Sequence, residues 1–476
     1  MAIISPALLL IFWENTPPKK AFFIGAIFGL GFFTAGVSWV YISLHDYGGA
    51  NALLAGALTF LMIVVLLSYT AIAGYLLNRY FSSRRLSRYI LVFPSLWVLG
   101  EWARGWVFTG FPWLFLGYSQ LNTVLAGWAP IVGVFGISWI VASTAGLVAY
   151  LAMTNPFMCP WSLERTKYVA KQSIGSILFL LLLWFIGYLL TFKPWTQPEG
   201  KPLQVSLVQG NIPQTLKWDP AQAQASLVIY EMLTKQHWNS SLIVWPEAAI
   251  TLGEIEAKEA LDNLNKVSKK HHATLITGLP TEENTLFYNS LTAVGNGEGI
   301  YRKRHLVPFG EFMPLRRLLD WLDNYVQIPM SDYSAGTRHQ SLITVNHLPV
   351  AAFICYEIAY PSEVLDMLPD GRFLIVLSDD SWFGKSLALP QHLQIAQMRA
   401  LETGRYLLMS TNSGITAIID AQGKIQSQLP AFERSVLTGN IQPMVGATPW
   451  VRLGVYPIML MMAIFLTLAF FTRQRD

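Results

Sequence analysis

The sequence predicts a bundle of membrane-spanning α-helices joined to an α/β domain. The composition is the first observation behind this prediction, because 53% of the 476 residues are hydrophobic and only 13% are charged. Such a chain is too apolar for a purely soluble protein and too long for one domain. The second observation is a change of composition at Pro202, after which short β-branched runs alternate with helical stretches.

Six segments are long and apolar enough to span a bilayer, since a spanning helix needs about 20 mostly apolar residues. They cover residues 21–43, 52–78, 89–108, 124–153, 173–193 and 454–471. A further segment, from Ala2 to Trp13, is short by the same measure. We therefore predict a helix bundle over 1–193, a catalytic α/β domain over 194–452, and a C-terminal helix with its tail over 453–476.

The basic residues of the short loops predict the orientation of the bundle, because such loops are retained on the cytoplasmic side. These residues are Lys19, Lys20, Arg79, Arg84, Arg85, Arg88, Arg165, Lys167, Lys171, Arg473 and Arg475. The loops that carry them alternate along the chain, so the segment 193–452 is expected to face away from the cytoplasm. The same alternation of loops places the N-terminus on the side away from the cytoplasm. A missing first helix would explain this position.

The loop from Glu101 to Tyr118 is dense in aromatic residues, and Glu101 and Arg104 lie three residues apart at an expected helix end. Ionisable groups at membrane depth are costly, so they are usually paired or functional. Two interpretations remain open for this loop. It is either an interfacial aromatic anchor with an internal ion pair or a surface that contacts lipid.

The segment after Pro202 has the pattern of an α/β domain. Its predicted strands are at 203–209, 241–247, 273–279, 350–357, 373–379, 405–411 and 415–420, and its helical stretches are at 219–237, 254–270 and 390–402. Strands this apolar, with so little alternation, indicate sheets that are covered on both faces. The sequence DAQGK, from Asp420 to Lys424, predicts a turn between two hairpin strands.

Charge and cysteine content exclude several classes of function. The net charge of +4 is small, and much of the positive charge lies in the short loops, so no nucleic acid partner is expected. Two cysteines cannot build a disulfide scaffold, and no Cys or His spacing resembles a zinc site, so neither a metal nor a cofactor is expected. Cys159 lies in a predicted cytoplasmic loop and therefore cannot pair with Cys355.

Cys355, Glu247 and Lys303 are the candidate catalytic residues. A thiol has a reference pKa of about 8.5, so a catalytic cysteine needs a base or a nearby positive charge. Glu247 is the candidate base, and Lys303 is the candidate for stabilising an oxyanion together with backbone N–H groups such as that of Tyr356. Each residue also has a structural alternative. Cys355 could be a buried structural thiol, Glu247 a helix N-cap partner and Lys303 a solvated charge.

Three motifs in chain order resemble the Glu, Lys and Cys motifs of the nitrilase superfamily. They are WPEAA with Glu247, YRKRHLVPFGEFMP with Lys303, and CYE with Cys355. With helices on both sides of these motifs, the chain resembles the apolipoprotein N-acyltransferase family of the bacterial cytoplasmic membrane. The resemblance runs from near the N-terminus to Arg475 and includes VSLVQGNIPQTLKWDP, HLVPFGEF, SWFGKS, MRALE and STNSGITA.

This resemblance implies a nitrilase-like four-layer αββα sandwich on an α-helical transmembrane bundle, with the active site on the periplasmic side of the inner membrane. It implies a ping-pong reaction in which Cys355 takes an acyl chain from the sn-1 ester of a phospholipid, usually phosphatidylethanolamine. The acceptor is the α-amino group of the N-terminal diacylglyceryl-cysteine of an apolipoprotein. No association motif is evident, so we expect a monomer among membrane lipids.

The resemblance also implies residue roles. Glu247 would be the general base, Lys303 the oxyanion stabiliser and Cys355 the nucleophile. Further residues at matched positions would support the active site, namely Glu311, Tyr356, Glu357, Trp218 and Asn289.

Two features depart from the family pattern. The family generally has eight membrane helices, whereas seven segments are predicted here, which agrees with a missing first helix. The sequence SDDSWFG has Asp379 where the family pattern has Asn. Two other functions remain open: a membrane-tethered hydrolase that passes its acyl group to water, and a lipoprotein-binding protein with an inactive nitrilase domain.

Overall fold

A computed structural model of the chain describes residues 1–81, 85–154, 163–313 and 332–472. These residues divide into two compact units. The helical unit contains Met1–Ser38, Leu58–Pro194 and Arg452–Asp476, and the α/β unit contains Trp39–Ala57 and Trp195–Val451. The domain boundaries given above stay a prediction. Four residues named above lie outside the described residues, namely Arg84, Cys159, Arg473 and Arg475.

The helical unit contains most of the apolar helices that the hydropathy of the sequence predicts, and the helix Ala52–Tyr80 joins it from Leu58 onwards. Their bounds are Ile4–Trp13, Pro18–Val37, Ala52–Tyr80, Phe93–Arg104, Ala129–Thr154, Leu163–Leu190 and Tyr456–Thr472. Within the described residues, four helices are long and apolar enough to cross a membrane, namely Pro18–Val37, Ala52–Tyr80, Val124–Thr154 and Ser173–Leu190. The helix over Val124–Thr154 is central, since 78% of its apolar part is buried, against 17–28% in the other three.

The segment predicted as one helix over 89–108 is divided in the structure. A π-helical turn, Arg88–Val92, precedes the short α-helix Phe93–Arg104. Pro94 is the physical cause, because proline has no N–H to donate to the carbonyl four residues before it. That carbonyl, of Ile90, instead accepts a hydrogen bond from the Ser143 hydroxyl at 2.9 Å. A neighbouring helix thus satisfies the backbone group that the proline leaves free.

The aromatic loop that follows this helix is attached to it by Glu101. The buried Glu101 Oε1 accepts hydrogen bonds from Trp97 Nε1 at 3.0 Å and from the Leu116 backbone N–H at 2.8 Å. The Arg104 guanidinium lies 5.0 Å from the centre of the Phe33 ring and 5.2 Å from that of Phe115. Glu101 therefore anchors the loop to the helix that precedes it.

The strands of the α/β unit form two main sheets. In chain order the strands are β1 (Gln197–Pro198), β2 (Leu203–Gln209), β3 (Leu242–Val244), β4 (Thr274–Glu283), β5 (Leu286–Gly295), β6 (Gly297–Glu298), β7 (Ile300–Arg302), β8 (Ile343–Val345), β9 (Leu348–Ile354), β10 (Leu374–Ser378), β11 (Leu407–Thr411), β12 (Ala417–Ile419), β13 (Ile425–Gln428), β14 (Ser435–Ile441) and β15 (Met444–Val445). The six-stranded sheet has the order β14-β2-β3-β4-β5-β7, and the seven-stranded sheet has the order β13-β12-β11-β10-β9-β8-β6. The short strands β1 and β15 pair separately.

Each main sheet is parallel at its centre and antiparallel towards its edges. Strands β2, β3 and β4 are parallel, and so are β9, β10 and β11. The carboxyl ends of parallel strands meet at one edge of a sheet, where open α/β sheets generally bind their ligands. The candidate residues Glu247 and Cys355 both follow such strand ends.

Helices cover the outer faces of the two sheets and complete the predicted four layers. Helices Pro220–Thr234 and Glu254–Lys270 pack on the six-stranded sheet, with Leu227, Tyr230 and Leu264 in a common core with Trp245 and other strand residues. Helix Ala388–Thr403 packs on β11 and β12 of the other sheet. The two sheets contact each other directly, since the Ser410 hydroxyl donates to the Val244 carbonyl at 3.1 Å.

Three strands of the six-stranded sheet, β5, β7 and β14, were not predicted. Strand β5 pairs with β4 in a long hairpin, from Thr274 opposite Gly295 to Glu283 opposite Leu286. Its exposed residues are Leu286 and Phe287, whereas the buried Asn289 and Ser290 are polar and interrupt the apolar run expected of a covered strand. Strand β14 lies at the edge of the sheet and is partly exposed, so it also lacks a continuous apolar run. The predicted hairpin turn is confirmed, because β12 and β13 are antiparallel on either side of it.

Candidate active site

Cys355 lies immediately after the end of β9. It begins a 3₁₀ turn, Cys355–Ala359, and its φ is +54°, in the left-handed region that a residue with a Cβ rarely adopts. Such a conformation costs about 1–3 kcal/mol and persists only where the surroundings impose it. The side chain is half-buried and its thiol is free. The strained turn thus places one free thiol at the carboxyl end of a central strand.

Glu357 is the residue that holds this turn in place. Its buried Oε2 accepts a hydrogen bond from the Ile354 N–H at 2.7 Å. Its Oε1 accepts from the Tyr301 hydroxyl and the Arg304 N–H, both at 2.8 Å, and from the His305 N–H at 3.2 Å. One carboxylate therefore joins the end of the Cys355 strand to the segment that carries Lys303.

Glu247 lies beyond the end of β3, where the chain packs closely against β4. The Trp245 N–H donates to the Ile276 carbonyl at 2.8 Å, and Gly278 passes directly under Glu247. A Cβ on Gly278 would lie 2.8 Å from the Glu247 Cα and 2.5 Å from the Ala248 N. Glycine is therefore required at this position for the backbone of Glu247 to occupy its place.

The Glu247 carboxylate is buried and accepts hydrogen bonds on both oxygens. Asn289 Nδ2 donates to Oε1 at 2.7 Å, and the Asp379 backbone N–H donates to Oε2 at 2.7 Å. Lys303 Nζ lies 3.4 Å from Oε1. This carboxylate is therefore fixed by groups from β5, from the end of β10 and from the segment after β7.

Lys303 is almost fully buried between two carboxylates. Its Nζ lies 2.8 Å from Glu311 Oε1, in addition to its contact with Glu247. Asn289 Nδ2 also donates to Glu311 Oε1 at 2.7 Å, and the Val307 N–H donates to Glu311 Oε2 at 2.8 Å. The structure therefore brings together four of the predicted residues, namely Glu247, Lys303, Glu311 and Asn289.

Burial and mutual charge determine the protonation of this cluster. Burial raises the pKa of Glu247 above its ordinary value, against the opposing charge of Lys303. Burial alone would lower the pKa of Lys303, but the carboxylates of Glu311 and Glu247 raise it well above its usual range. Burial and then the charge of Glu247 raise the pKa of the Cys355 thiol well above its ordinary value, while Lys303 lowers it. The cluster therefore combines a neutral thiol, a carboxylate able to accept a proton and a permanent cation.

Tyr356 and Trp218 are the two remaining predicted residues. The Tyr356 ring is 5.9 Å from the His305 ring and 5.1 Å from the Tyr360 ring, so it belongs to an aromatic group that directly follows Cys355 in the chain. Trp218 is half-buried at the end of the short helix Gln214–Lys217, where its backbone N–H donates to the Leu216 carbonyl. Its neighbour Lys217 contacts the Asp379 carboxylate, with 2.7 Å between Lys217 Nζ and Asp379 Oδ2.

Sequence reasoning missed a second polar group around Cys355. Asp380 Oδ1 accepts a hydrogen bond from the Ser378 hydroxyl at 2.6 Å and lies 3.1 Å from His392 Nδ1. His392 Nε2 lies 3.3 Å from the Cys355 carbonyl oxygen. A signal for this group was present, because two acidic residues directly follow the buried strand β10. Among the described residues, no group of three or more His, Cys, Asp or Glu could hold a metal ion.

The fold and this site define a carbon-nitrogen hydrolase domain. The family profile described as carbon-nitrogen hydrolase matches residues 204–449, and the one described as apolipoprotein N-acyltransferase N-terminal domain matches residues 1–147. Apolipoprotein N-acyltransferase of Coxiella burnetii is 45% identical over 473 residues, which are 99% of this chain and 95% of that relative. The enzyme of the same name from Methylococcus capsulatus is 41% identical over 485 residues, covering 100% of this chain and 92% of that relative. The chain therefore belongs to the apolipoprotein N-acyltransferase family.

A solved structure was also matched. It is that of Saccharomyces cerevisiae Nit3, a member of branch 10 of the nitrilase superfamily. The match covers 51% of this chain and 91% of that one, at 17% identity and a TM-score of 0.39.

Proposed function

We propose that this chain transfers an acyl chain from a phospholipid to the N-terminal diacylglyceryl-cysteine of apolipoproteins, through a thioester on Cys355. The observation that carries the proposal is the buried cluster of Glu247, Lys303 and Glu311. This cluster interacts electrostatically with the thiol of Cys355, whose backbone is strained. Full-length similarity to relatives named apolipoprotein N-acyltransferase supports this choice of reaction.

The first half-reaction forms the acyl-enzyme. Glu247 takes the proton of the Cys355 thiol as the sulfur attacks the sn-1 ester carbonyl of the phospholipid. The ammonium of Lys303 and a backbone N–H such as that of Tyr356 stabilise the resulting oxyanion. The tetrahedral intermediate then expels the glycerol oxygen, which receives the proton from Glu247. The products are a Cys355 thioester and a lysophospholipid.

The second half-reaction transfers the acyl chain to nitrogen. The free α-amino group of the diacylglyceryl-cysteine attacks the thioester carbonyl, and Glu247 accepts a proton from this nitrogen. Collapse of the intermediate breaks the C–S bond, and the sulfur of Cys355 recovers the proton. The product is an amide on the lipoprotein, and the enzyme returns to its starting protonation state.

The raised pKa of Cys355 bears on the order of these events. The raised pKa disfavours a free thiolate, so the proposed mechanism has Glu247 accept the proton as the sulfur attacks. Lys303 keeps its charge throughout, since two carboxylates hold its pKa well above its usual range. A permanent cation next to the reacting atoms is suited to stabilising negative charge that develops only in the transition state.

The membrane helices agree with lipid substrates, and the family is bacterial in its matched relatives. We further propose phosphatidylethanolamine as the acyl donor and a monomeric enzyme in the inner membrane. The α/β segment 194–452 is proposed to lie in the periplasm, on the strength of the basic loops of the bundle.

Transfer of a labelled acyl chain tests the proposal. The purified chain in detergent is given phosphatidylethanolamine labelled at the sn-1 acyl chain, together with a diacylglyceryl-cysteine peptide. We expect the label on the peptide α-amino group, and none with a peptide whose amino group is acetylated. Release of labelled free fatty acid alone would show a hydrolase, and it would refute the transferase.

A further inference from the structure

We infer that Asp379 and Lys217 are positioning residues for Glu247, an assignment that rests on the proposed function. The two side chains form an ion pair with 2.7 Å between Lys217 Nζ and Asp379 Oδ2. Both are buried, with 2% and 5% of their side chains exposed. Neither is among the groups assigned above to proton transfer or to the oxyanion.

The pair contacts Glu247 at two separate points. Lys217 Nζ donates to the Glu247 backbone carbonyl at 2.9 Å. The Asp379 backbone N–H donates to the Glu247 carboxylate Oε2 at 2.7 Å. The ion pair therefore fixes both the backbone and the carboxylate of the proposed base, and it does so from two different segments of the chain.

Asp379 is itself held by further buried donors. Its Oδ1 accepts a hydrogen bond from the Ser381 hydroxyl at 2.6 Å and from Asn412 Nδ2 at 3.1 Å. Its partner Lys217 Nζ has two acceptors, the Asp379 carboxylate and the Glu247 carbonyl. Such contacts offset the cost of burying two charges. The network also restricts the movement of Asp379, whose backbone N–H orients Glu247.

The charge of Asp379 also acts on Glu247. The charged and titratable groups that interact with Glu247 or lie against it are Lys303, Glu311, Asp379, Cys355, Tyr333 and Lys217. Among them, Asp379 and Glu311 raise the pKa of Glu247 and Lys303 lowers it. Replacing Asp379 with a neutral residue of the same shape should therefore lower the pKa of the base.

The test measures single-turnover acylation of Cys355 by a fluorescent phospholipid across pH, in the full-length chain. Three proteins are compared with the parent: Asp379→Asn, the neutral pair Lys217→Met/Asp379→Asn, and the control Asp262→Asn at an exposed site on helix Glu254–Lys270. The neutral pair leaves no unpaired buried charge, so it is the variant expected to fold in any case. Thermal melting of each protein reports its folding separately.

We expect the acidic limb of the acylation profile to move to lower pH in Asp379→Asn. The neutral pair should lose up to about 100-fold in acylation rate, because misplacement of a catalytic group by about 1 Å costs this much. The half-saturating phospholipid concentration should stay unchanged, since neither residue is assigned a contact with substrate. Asp262→Asn should behave as the parent does.

Two results would overturn the inference while leaving the proposed function intact. One is an unchanged acidic limb in folded Asp379→Asn, and the other is a parental acylation rate in the neutral pair. Failure of the parent chain to form a thioester at all would instead refute the proposed function, and with it this role of the pair.

Discussion

At Cys355, burial and the Glu247 carboxylate raise the pKa of the thiol, whereas the Lys303 ammonium lowers it. The balance favours a neutral thiol, unlike cysteines that are held as thiolates at helix N-termini or beside unpaired cations. Lys303 is not an unpaired cation, because it forms ion pairs with Glu311 and Glu247. The proposed mechanism therefore requires a base that removes the proton of Cys355 during attack.

Replacement of Glu247 by glutamine tests this dependence. Glutamine keeps the shape of the side chain and can still accept from the Asp379 N–H, but it cannot take a proton. We expect acylation of Cys355 to slow by at least about 100-fold, in line with the loss of a general base. Glu282→Gln, at an exposed site on β4, is the matched control. An acylation rate within a few-fold of the parent would contradict the assignment.

The pH dependence of acylation carries a second prediction. Glu247 acts as a base only when it is ionised, so the rate should rise with pH through the pKa of Glu247. Burial raises this pKa, so the midpoint should lie above the reference value of about 4.3 for glutamate. The rate of thioester formation from pH 4 to 9 measures it. A midpoint at or below the reference value would show that burial does not control this group.

The sequence alone could name Glu247, Lys303 and Cys355, because each lies in a short motif at or near the end of a strand. It could not assign their partners. Lys217 and Asp379 form an ion pair across 162 positions of the chain, and no local pattern encodes such a distant contact. The clamp made by Glu357 likewise depends on how two separate segments meet. The role of Asp379 beside Glu247 emerged only from the structure.

At the scale of secondary-structure elements, the candidate residues Glu247 and Cys355 lie just after the ends of strands β3 and β9. The buried strands β2, β9, β10 and β11 could be predicted from their apolar runs, since both of their faces are covered. Strands β5, β7 and β14 could not, because buried polar residues interrupt β5, β7 has only three residues, and β14 is partly exposed. Yet β5 supplies Asn289, which bridges Glu247 and Glu311.

The close packing of Gly278 against Glu247 gives a prediction at this scale. In Gly278→Ala the new methyl group meets backbone atoms of Glu247 and Ala248, so the segment with the base must move. We expect a loss of about 1–3 kcal/mol in the free energy of unfolding, as for other overpacked sites, with a larger loss of acylation. Thermal melting and single-turnover acylation measure the two effects.

Gly31→Ala is the control for this change. Gly31 lies in helix Pro18–Val37, and a Cβ there would meet nothing within 4 Å. Acylation by the control should match the parent. If Gly278→Ala acylates at the parental rate, then the position of Glu247 does not depend on this contact.

At the scale of the whole molecule, four of the six predicted spans are confirmed among the described residues, because apolar length is a property of sequence alone. Of the other two, the segment around Pro94 is divided by a proline and by a hydroxyl from another helix. The C-terminal helix Tyr456–Thr472 is apolar but has only 17 residues. The proposed orientation rests on the basic loops, and it is open to direct measurement.

Thiol labelling tests the orientation. In a chain with Cys159→Ser and Cys355→Ala, one cysteine is introduced at the exposed Asn284 of the β4–β5 turn or at the exposed Lys20. A membrane-impermeant maleimide added to spheroplasts should label Asn284→Cys and leave Lys20→Cys unlabelled until the membrane is disrupted. The reverse pattern would show that the α/β segment lies in the cytoplasm.

The central claim is that Cys355 carries the acyl chain as a thioester. Intact mass spectrometry of the protein after incubation with phospholipid, without an acceptor peptide, tests it most directly. We predict a mass increase of one acyl chain that maps to Cys355, is removed by hydroxylamine and is absent from Cys355→Ala. No adduct on the parent protein, or an adduct that persists in Cys355→Ala, would contradict the account.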